Sequence, residues 1–261
     1  MKPFSLRLAA LAIPLLLLSA NALRAEEQPE EAGDREALTL TMGDQPGAPR
    51  VSSTISMLLT ITALSFVPAL LMMTTSFVRI IIVLGFLRQA LGTQQSPPNV
   101  VLIGISLFLT LFIMGPVFQR MHADGIKPYM KGTLSGEEAV ERGLKPLRQF
   151  MGEQTRKKDL ALMVELSRMP QPDGFEDVPT TTLVPAFILS ELRCAFQMGF
   201  LLFLPFVVID MVVASVLMSF GMIMLPPAMI ALPLKLLLFV IADGWYLIVK
   251  SLTVSFSAAT G

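Results

Sequence analysis

The stretch Gly221-Met222-Ile223-Met224-Leu225-Pro226-Pro227 joins two strongly apolar segments and contains no charged residue. Glycine ends a helix well because it tolerates left-handed backbone angles, and proline suits the first turn of the next helix. The stretch therefore predicts a tight turn between two antiparallel helices. Turns that face water normally carry polar residues. We expect this one to lie inside protein or to line a space that stays dry.

The composition is that of a membrane protein. Of the 261 residues, 53% are hydrophobic and 15% are charged, and the net charge is zero. The sequence has no long run of Lys and Arg that could bind the phosphates of a nucleic acid, so no nucleic-acid partner is expected. The single cysteine, Cys194, and the single histidine, His122, are too few for a metal site. We therefore expect neither a metal nor a cofactor.

The first 50 residues predict a secretory signal followed by a linker. Lys2 and Arg7 form a basic start, residues 8–18 form an apolar core, and Ala22 ends an A-x-A cleavage site. The apolar core is too short for a membrane-spanning helix, which needs about 20 residues. Residues 1–22 are thus a predicted signal peptide, and the acidic residues 23–50 a predicted disordered linker.

Apolar segments in the remaining chain predict an all-α membrane protein. One uncharged run lies between Arg50 and Arg79, and further apolar runs cover residues 99–118, 183–213 and 226–256. Each is long enough to cross a bilayer. They predict two long, kinked helical hairpins, at 51–118 and 183–261, separated by a helical periplasmic insertion at 119–182. Arg79 and Arg88 flank the first turn, as the positive-inside rule expects of a cytoplasmic turn.

The middle segment has helical signals of its own. Ser135 followed by Glu138 fits a capping box. Pro146 is expected to kink the helix or restart it. The charged side chains of residues 156–159 (RKKD) are predicted to lie on a solvent-exposed face of a helix.

Five charged residues interrupt the last two apolar runs: Glu191, Arg193, Asp210, Lys235 and Asp243. Charges inside apolar helices are costly, and they mark either structural pairs or functional pathways. Asp210 and Lys235 lie at similar distances from the second turn, so a straight hairpin would place them level. Glu191 lies roughly 30 Å further along the axis than Lys235, so their pairing needs a bent helix or a displaced neighbouring subunit.

The sequence offers no convincing catalytic site. The aspartates in the apolar runs lack the motif of an intramembrane aspartyl protease. The single histidine gives no pair of a nucleophile and its base. The sequence also contains no glycine-rich phosphate-binding loop. We therefore expect no enzymatic activity. Methionines cluster around the second turn, at positions 218, 222, 224 and 229. They are either flexible core filler or a set of thioethers that closes a pore.

Several stretches resemble the FliP family of flagellar type III secretion export-gate proteins, related to the SctR proteins of virulence secretion systems. They are residues 71–80 (LMMTTSFVRI), 91–99 (LGTQQSPPN), 190–200 (SELRCAFQMGF) and 239–245 (FVIADGW). The resemblance extends over residues 55–256, and it favours the flagellar branch.

The resemblance implies a subunit of the entrance pore through which unfolded flagellar proteins cross the bacterial inner membrane. About five copies would assemble with FliQ- and FliR-like membrane proteins into a helical cone within the flagellar basal body. Other membrane components of the export apparatus would be further partners.

The resemblance also implies site residues. The family's methionine gasket falls on Met222, Ile223 and Met224, with isoleucine at a position that is commonly methionine in relatives. Glu191 and Lys235 would pair between adjacent subunits, with Asp210 as a competing partner for the lysine. Two alternatives stay open from the residues alone: a small-solute or ion transporter, and an intramembrane enzyme.

Overall fold

The computed structural model describes residues 50–93, 95–168, 172, 174–222 and 225–257. The predicted signal peptide with Ala22 lies outside the described residues, as do Ile223 and Met224 of the second turn. The chain divides into two units, Met1–Thr54 and Ile55–Gly261. Only the beginning of one helix is described in the first unit.

The described residues are helical, with no strand among them. A π-helical turn (His122–Ile126) and a 3-10 turn (Phe175–Asp177) accompany the α-helices. The α-helices are α1 (Arg50–Met73), α2 (Phe77–Leu91), α3 (Asn99–Met121), α4 (Lys127–Met130), α5 (Gly136–Gln154), α6 (Lys157–Leu166), α7 (Thr180–Ser219), α8 (Pro227–Ile241) and α9 (Gly244–Ser257).

Glycine ends the helix before each tight turn. Gly92 follows α2 with φ of 72°, and Gly221 follows α7 with φ of 74°. These are left-handed angles that only glycine adopts without strain. Pro98 caps the start of α3, and Pro226 caps the start of α8. The turn chemistry predicted from the Gly and Pro-Pro spacing is confirmed.

Two of the apolar runs are not single helices. The first breaks at residues 74–76 with a bend of 64°, and the last breaks at Ala242 and Asp243 with a bend of 63°. At the first break the Thr74 hydroxyl donates a hydrogen bond to the Leu70 carbonyl (2.9 Å), in addition to the Thr74 backbone N–H (3.0 Å). Such side-chain bonding to the carbonyl four residues earlier often bends a helix. At the second, Asp243 adopts φ of 49°. Each of these two apolar runs therefore consists of two helices joined at a sharp bend.

Among the residues that the structure describes, two continuous helical stretches are long and apolar enough to cross a membrane, Asn99–Met130 and Thr180–Ser219. The number rises to four if each bent pair counts as one span. Helix α2 alone is about 22 Å long, shorter than the roughly 30 Å of hydrocarbon in a bilayer.

The middle segment contains the predicted capping box. The Ser135 side chain accepts a hydrogen bond from the Glu138 backbone (3.3 Å), and the Ser135 N–H donates to the Glu138 carboxylate (3.1 Å). This backbone donor holds the pKa of the Glu138 carboxyl below its usual range. Helix α5 continues past Pro146 without restarting. Asp159 is buried, so the charge cluster is not wholly solvated as expected.

Helices α2 and α7 form the most extensive helix pair. Gly199 of α7 is buried against the Phe86 ring, and a Cβ at this glycine would lie 2.4 Å from a ring carbon. Phe86 also packs edge to face on Phe196, with ring centroids 5.2 Å apart. The helices approach this closely because glycine occupies the contact point.

Replacing Gly199 by alanine should loosen this helix pair. The added methyl forces the Phe86 ring out of its position, and overpacking of this kind costs about 1–3 kcal/mol. Thermal unfolding of the purified chain in detergent, followed by circular dichroism, measures the loss.

Gly85→Ala is the matched control, because a Cβ at Gly85 of α2 meets nothing within 4 Å. That variant should be as stable as the parent or slightly more so, since alanine favours helix over glycine. Equal stability of the two variants would contradict the close approach at Gly199.

Candidate functional site

A buried arginine lies at the centre of the described structure. Arg79 of α2 is 2% exposed, and Glu191 of α7 is fully buried. The guanidinium donates from Nε to Glu191 Oε2 (2.7 Å), and its Nη2 binds the other carboxylate oxygen. The pair is therefore bidentate, the strongest geometry available to arginine and a carboxylate.

The same guanidinium binds α5 and α9. Its Nη2 donates to Gln154 Oε1 (3.1 Å), and its Nη1 donates to the Ser255 hydroxyl (3.0 Å). Gln154 in turn donates to the Phe256 carbonyl (3.1 Å), and the Phe256 ring centroid lies 3.9 Å from the guanidinium carbon. The last turn of α9 thus meets a cation, which stabilises the negative end of a helix dipole. We call this set, Arg79 with Glu191, Gln154, Ser255 and Phe256, the arginine junction.

Helix α6 is attached next to the arginine junction. The Ser190 hydroxyl donates to the buried Asp159 carboxylate (2.8 Å) and accepts from the Arg156 backbone N–H (3.1 Å). Ser190 precedes Glu191 on α7. One turn of α7 therefore holds both α6 and the arginine junction.

The role of Arg79 was missed in the sequence, where the positive-inside rule made it a flank of the first turn. That interpretation is wrong for Arg79, which is buried about 20 Å from Gly92 along α2. Arg88 does lie beside this turn and binds the Asn99 side chain across it. The available signal was the position of Arg79 within an apolar stretch that continues on both sides.

Lys235 and Asp210 form a second ion pair. The Lys235 ammonium lies 2.7 Å from Asp210 Oδ2, and its side chain is 9% exposed. The spacing had placed these residues level across the hairpin. The ammonium also lies 3.9 Å from where a Cβ would stand on Gly92. It therefore faces the carbonyl end of α2, where a cation is favourable.

Within one chain, Glu191 and Lys235 have separate partners. Glu191 binds Arg79, whereas Lys235 binds Asp210. The pairing of Glu191 with Lys235 between adjacent subunits stays a prediction. It would require Glu191, which is fully buried in the described chain, to become accessible to a neighbouring subunit.

Arg193 and Asp243 are both exposed. Asp243 donates its backbone N–H to the Val240 carbonyl (3.1 Å) and ends α8 in a left-handed conformation. Aspartate tolerates that conformation better than most side chains. This backbone conformation gives a structural reason for an aspartate at position 243.

The second turn begins with a Schellman motif. The Gly221 N–H donates to the Met218 carbonyl (3.0 Å), and the Met222 N–H donates to the Leu217 carbonyl (3.1 Å). This pattern satisfies the free carbonyls at a helix end and fixes the direction of the chain. The backbone of Met222 is therefore held firmly on the end of α7.

Large apolar side chains around this turn are left uncovered by the chain itself. Their exposed fractions are 69% for Met218, 75% for Phe220, 44% for Met222, 42% for Leu225 and 72% for Met229. We call this group the apolar tip. From the level of Lys235 the hairpin continues about 12 Å to reach it.

Paired charges and exposed apolar side chains are the two main features of this site. They contain no group of three or more His, Cys, Asp or Glu side chains that could hold a metal ion. Glu191 and Arg79 neutralise each other in the core, and Asp210 does so with Lys235. The apolar tip carries large apolar side chains that the described chain leaves exposed.

Replacing Glu191 by alanine should strongly destabilise the fold. The change leaves the Arg79 cation buried without a counter-charge, and breaking a buried pair in this way costs about 3–5 kcal/mol. The free energy of unfolding in detergent measures the loss. The combination Arg79→Met with Glu191→Leu should recover much of it, because neither charge is then left unpaired.

Arg193→Ala is the control on the same helix, where an exposed side chain is removed. It should change the free energy of unfolding by no more than about 0.5 kcal/mol. If Glu191→Ala costs no more than Arg193→Ala, the arginine junction does not hold the core.

A model of the FliP family matches residues 60–252. Flagellar biosynthetic protein FliP of Bacillus subtilis is 54% identical over 206 residues, which are 79% of this chain and 93% of the relative. The protein of the same name from Pectobacterium carotovorum is 54% identical over 202 residues, 77% of this chain and 78% of the relative. That of Caulobacter vibrioides is 49% identical over 233 residues, 89% of this chain and 87% of the relative. The resemblance seen in the motifs is confirmed, and the chain belongs to the FliP family.

Proposed function

We propose that this chain is a subunit of the flagellar protein-export gate, in which several copies close a pore with their second turns. Family membership supports a flagellar role, because the relatives are named flagellar biosynthetic proteins. Long apolar helices support a place in the membrane. The closing element is the apolar tip together with Ile223 and Met224, and the gasket is formed by Met222, Ile223 and Met224.

Exposure of the apolar tip is the observation that carries this proposal. Phe220 is 75% exposed and Met222 44% exposed, although both stand at the end of an ordered helix. Such a surface is stable when copies of it meet and exclude water. An apolar constriction blocks ions by dewetting. Methionine adds flexibility, because its unbranched thioether side chain repacks around irregular shapes.

A soft apolar seal suits unfolded polypeptide as the transported substrate. Unfolded chains present side chains of every size, so fixed polar ligands in the pore would hinder some of them. The gate would therefore act without catalysis of its own, powered by other components of the export apparatus.

The proposed assembly contains about five copies of this chain arranged as a helical cone. FliQ- and FliR-like membrane proteins and further export-apparatus components complete it. The location is the bacterial inner membrane at the flagellar basal body. The middle segment, 119–182, lies on the periplasmic side, and unfolded flagellar proteins pass through the pore.

A small-solute or ion transporter is the alternative function, and an unpaired carboxylate oxygen of Asp210 favours it. Asp210 Oδ1 is buried and has no hydrogen-bond partner among the described residues. A transported cation could use such an oxygen. The adjacent Lys235 ammonium argues against this alternative, because it already neutralises the carboxylate.

Replacing Met222 and Met224 by alanine should make the closed complex leaky to small solutes. Removal of the thioethers widens the constriction and allows water to enter it. The measurement is solute flux through the complex, assembled with its FliQ- and FliR-like partners and reconstituted into vesicles. Export of flagellar proteins by cells carrying the variant is measured in parallel.

Met211→Ala provides the control, since Met211 is 65% exposed but lies about two turns of helix before the apolar tip. It should leave the flux unchanged. The gasket proposal is wrong if the double variant conducts no more than the Met211→Ala complex at equal amounts of assembled protein. Flux of one ion that depends on Asp210 alone would instead support the transporter.

A further inference from the structure

Methionines are concentrated in and around the apolar tip. Four of the 17 methionines in the chain fall within residues 218–229. The structure describes the side chains of three of them, Met218, Met222 and Met229, and all three are exposed. By contrast, Met114 is fully buried and Met151 is 1% exposed. The tip therefore presents thioether sulfur atoms that the fold does not shield.

An exposed thioether reacts with peroxides. A lone pair of the sulfur attacks one oxygen of hydrogen peroxide, so that an S–O bond forms while the O–O bond breaks. The sulfur loses two electrons, the peroxide gains them, and the departing oxygen leaves as water after proton transfer. The product is methionine sulfoxide, which is polar and which methionine sulfoxide reductases convert back to the thioether. Leucine and isoleucine have no lone pair and do not react in this way.

The hairpin offers a sulfoxide oxygen no uncommitted side-chain donor near the tip. Between Asp210 and Lys235 in the sequence, the only polar side chains are those of Ser215 and Ser219. Both serine hydroxyls already donate to carbonyls of their own helix, at 2.9 and 2.7 Å. The Lys235 ammonium is bound to Asp210 and lies about 12 Å from the tip. An acceptor without a donor is costly away from water, so a sulfoxide here brings water with it.

The backbone keeps an oxidised side chain in place. Two hydrogen bonds of the Schellman motif, made by the N–H groups of Gly221 and Met222, hold the start of the second turn on the end of α7. A sulfoxide at Met222 therefore stays at the surface where copies of the tip would meet. An apolar constriction blocks ions because water leaves it, and a hydrated sulfoxide opposes that.

We propose that the apolar tip is an oxidation site, at which hydrogen peroxide converts Met218, Met222 and Met229 into sulfoxides. Oxidation hydrates the seal and opens it, and reduction of the sulfoxides closes it again. The proposal rests on the proposed function, because it concerns the same seal. It adds a chemical sensitivity that a seal of leucine or isoleucine would not have.

Peroxide treatment of the assembled complex tests this proposal. The complex with its FliQ- and FliR-like partners is reconstituted into vesicles and exposed to hydrogen peroxide. Peptide mass spectrometry should show one added oxygen at Met218, Met222 and Met229, while the buried Met114 and Met151 stay unoxidised. Solute flux should rise several-fold as Met222 is oxidised. It should fall again after treatment with methionine sulfoxide reductases A and B, which reduce the two sulfoxide epimers.

A chain with leucine at all four methionine positions of residues 218–229 is the matched variant. Its tip is apolar but has no thioether, so peroxide should not raise its flux above its own untreated value. Met211→Leu is the control outside the tip, because Met211 is also exposed. Peroxide should raise the flux of the Met211→Leu complex as much as that of the parent.

Three results would overturn the proposal: oxidised Met222 without a rise in flux, an equal rise in the leucine variant, or no oxidation of any tip methionine in the complex. The alanine variant at positions 222 and 224 separates this proposal from the proposed function. If that variant leaks and the oxidised parent does not, the gasket stands and the oxidation site is wrong. If neither leaks, the gasket itself is wrong.

Discussion

A single guanidinium, that of Arg79, imposes the main constraint on this structure. Removing such a cation from water costs several kcal/mol, and only a well-placed counter-charge with further hydrogen bonds offsets that cost. Glu191 supplies the charge, while Gln154 and Ser255 occupy remaining donors. These groups come from α7, α5 and α9, so the position of one side chain on α2 determines where three other helices meet.

The rest of the site depends on that arrangement. With α2 held against α7 at the arginine junction, its carbonyl end reaches the Lys235 ammonium, where Asp210 completes a second pair. Both ion pairs satisfy charge within the chain. What is left exposed beyond the second pair is apolar, namely Phe220, Met222 and their neighbours. The buried charges are thus paired within the subunit, and an apolar surface is left exposed for contact with other subunits.

Local chemistry was predictable from the sequence. Gly92 and Gly221 end helices because no other residue takes their backbone angles as easily, and Ser135 with Glu138 forms a box of fixed spacing. The helix breaks were not predictable from hydropathy, because averaging over a window hides the local effect of three hydroxyl residues or of one aspartate. The partner of Arg79 was missed for a different reason. It lies 112 positions away in the sequence, and several carboxylates were available to it.

Hydrogen exchange of the backbone amides in an Arg79→Met chain tests the central claim most directly. If the guanidinium holds the helices together, protection should fall together in α9, in α6 and in the part of α7 around Glu191. The Schellman turn at Gly221 depends on local bonds, so its protection should stay close to that of the parent. Loss of protection confined to α2, with α6 and α9 unchanged, would contradict the account.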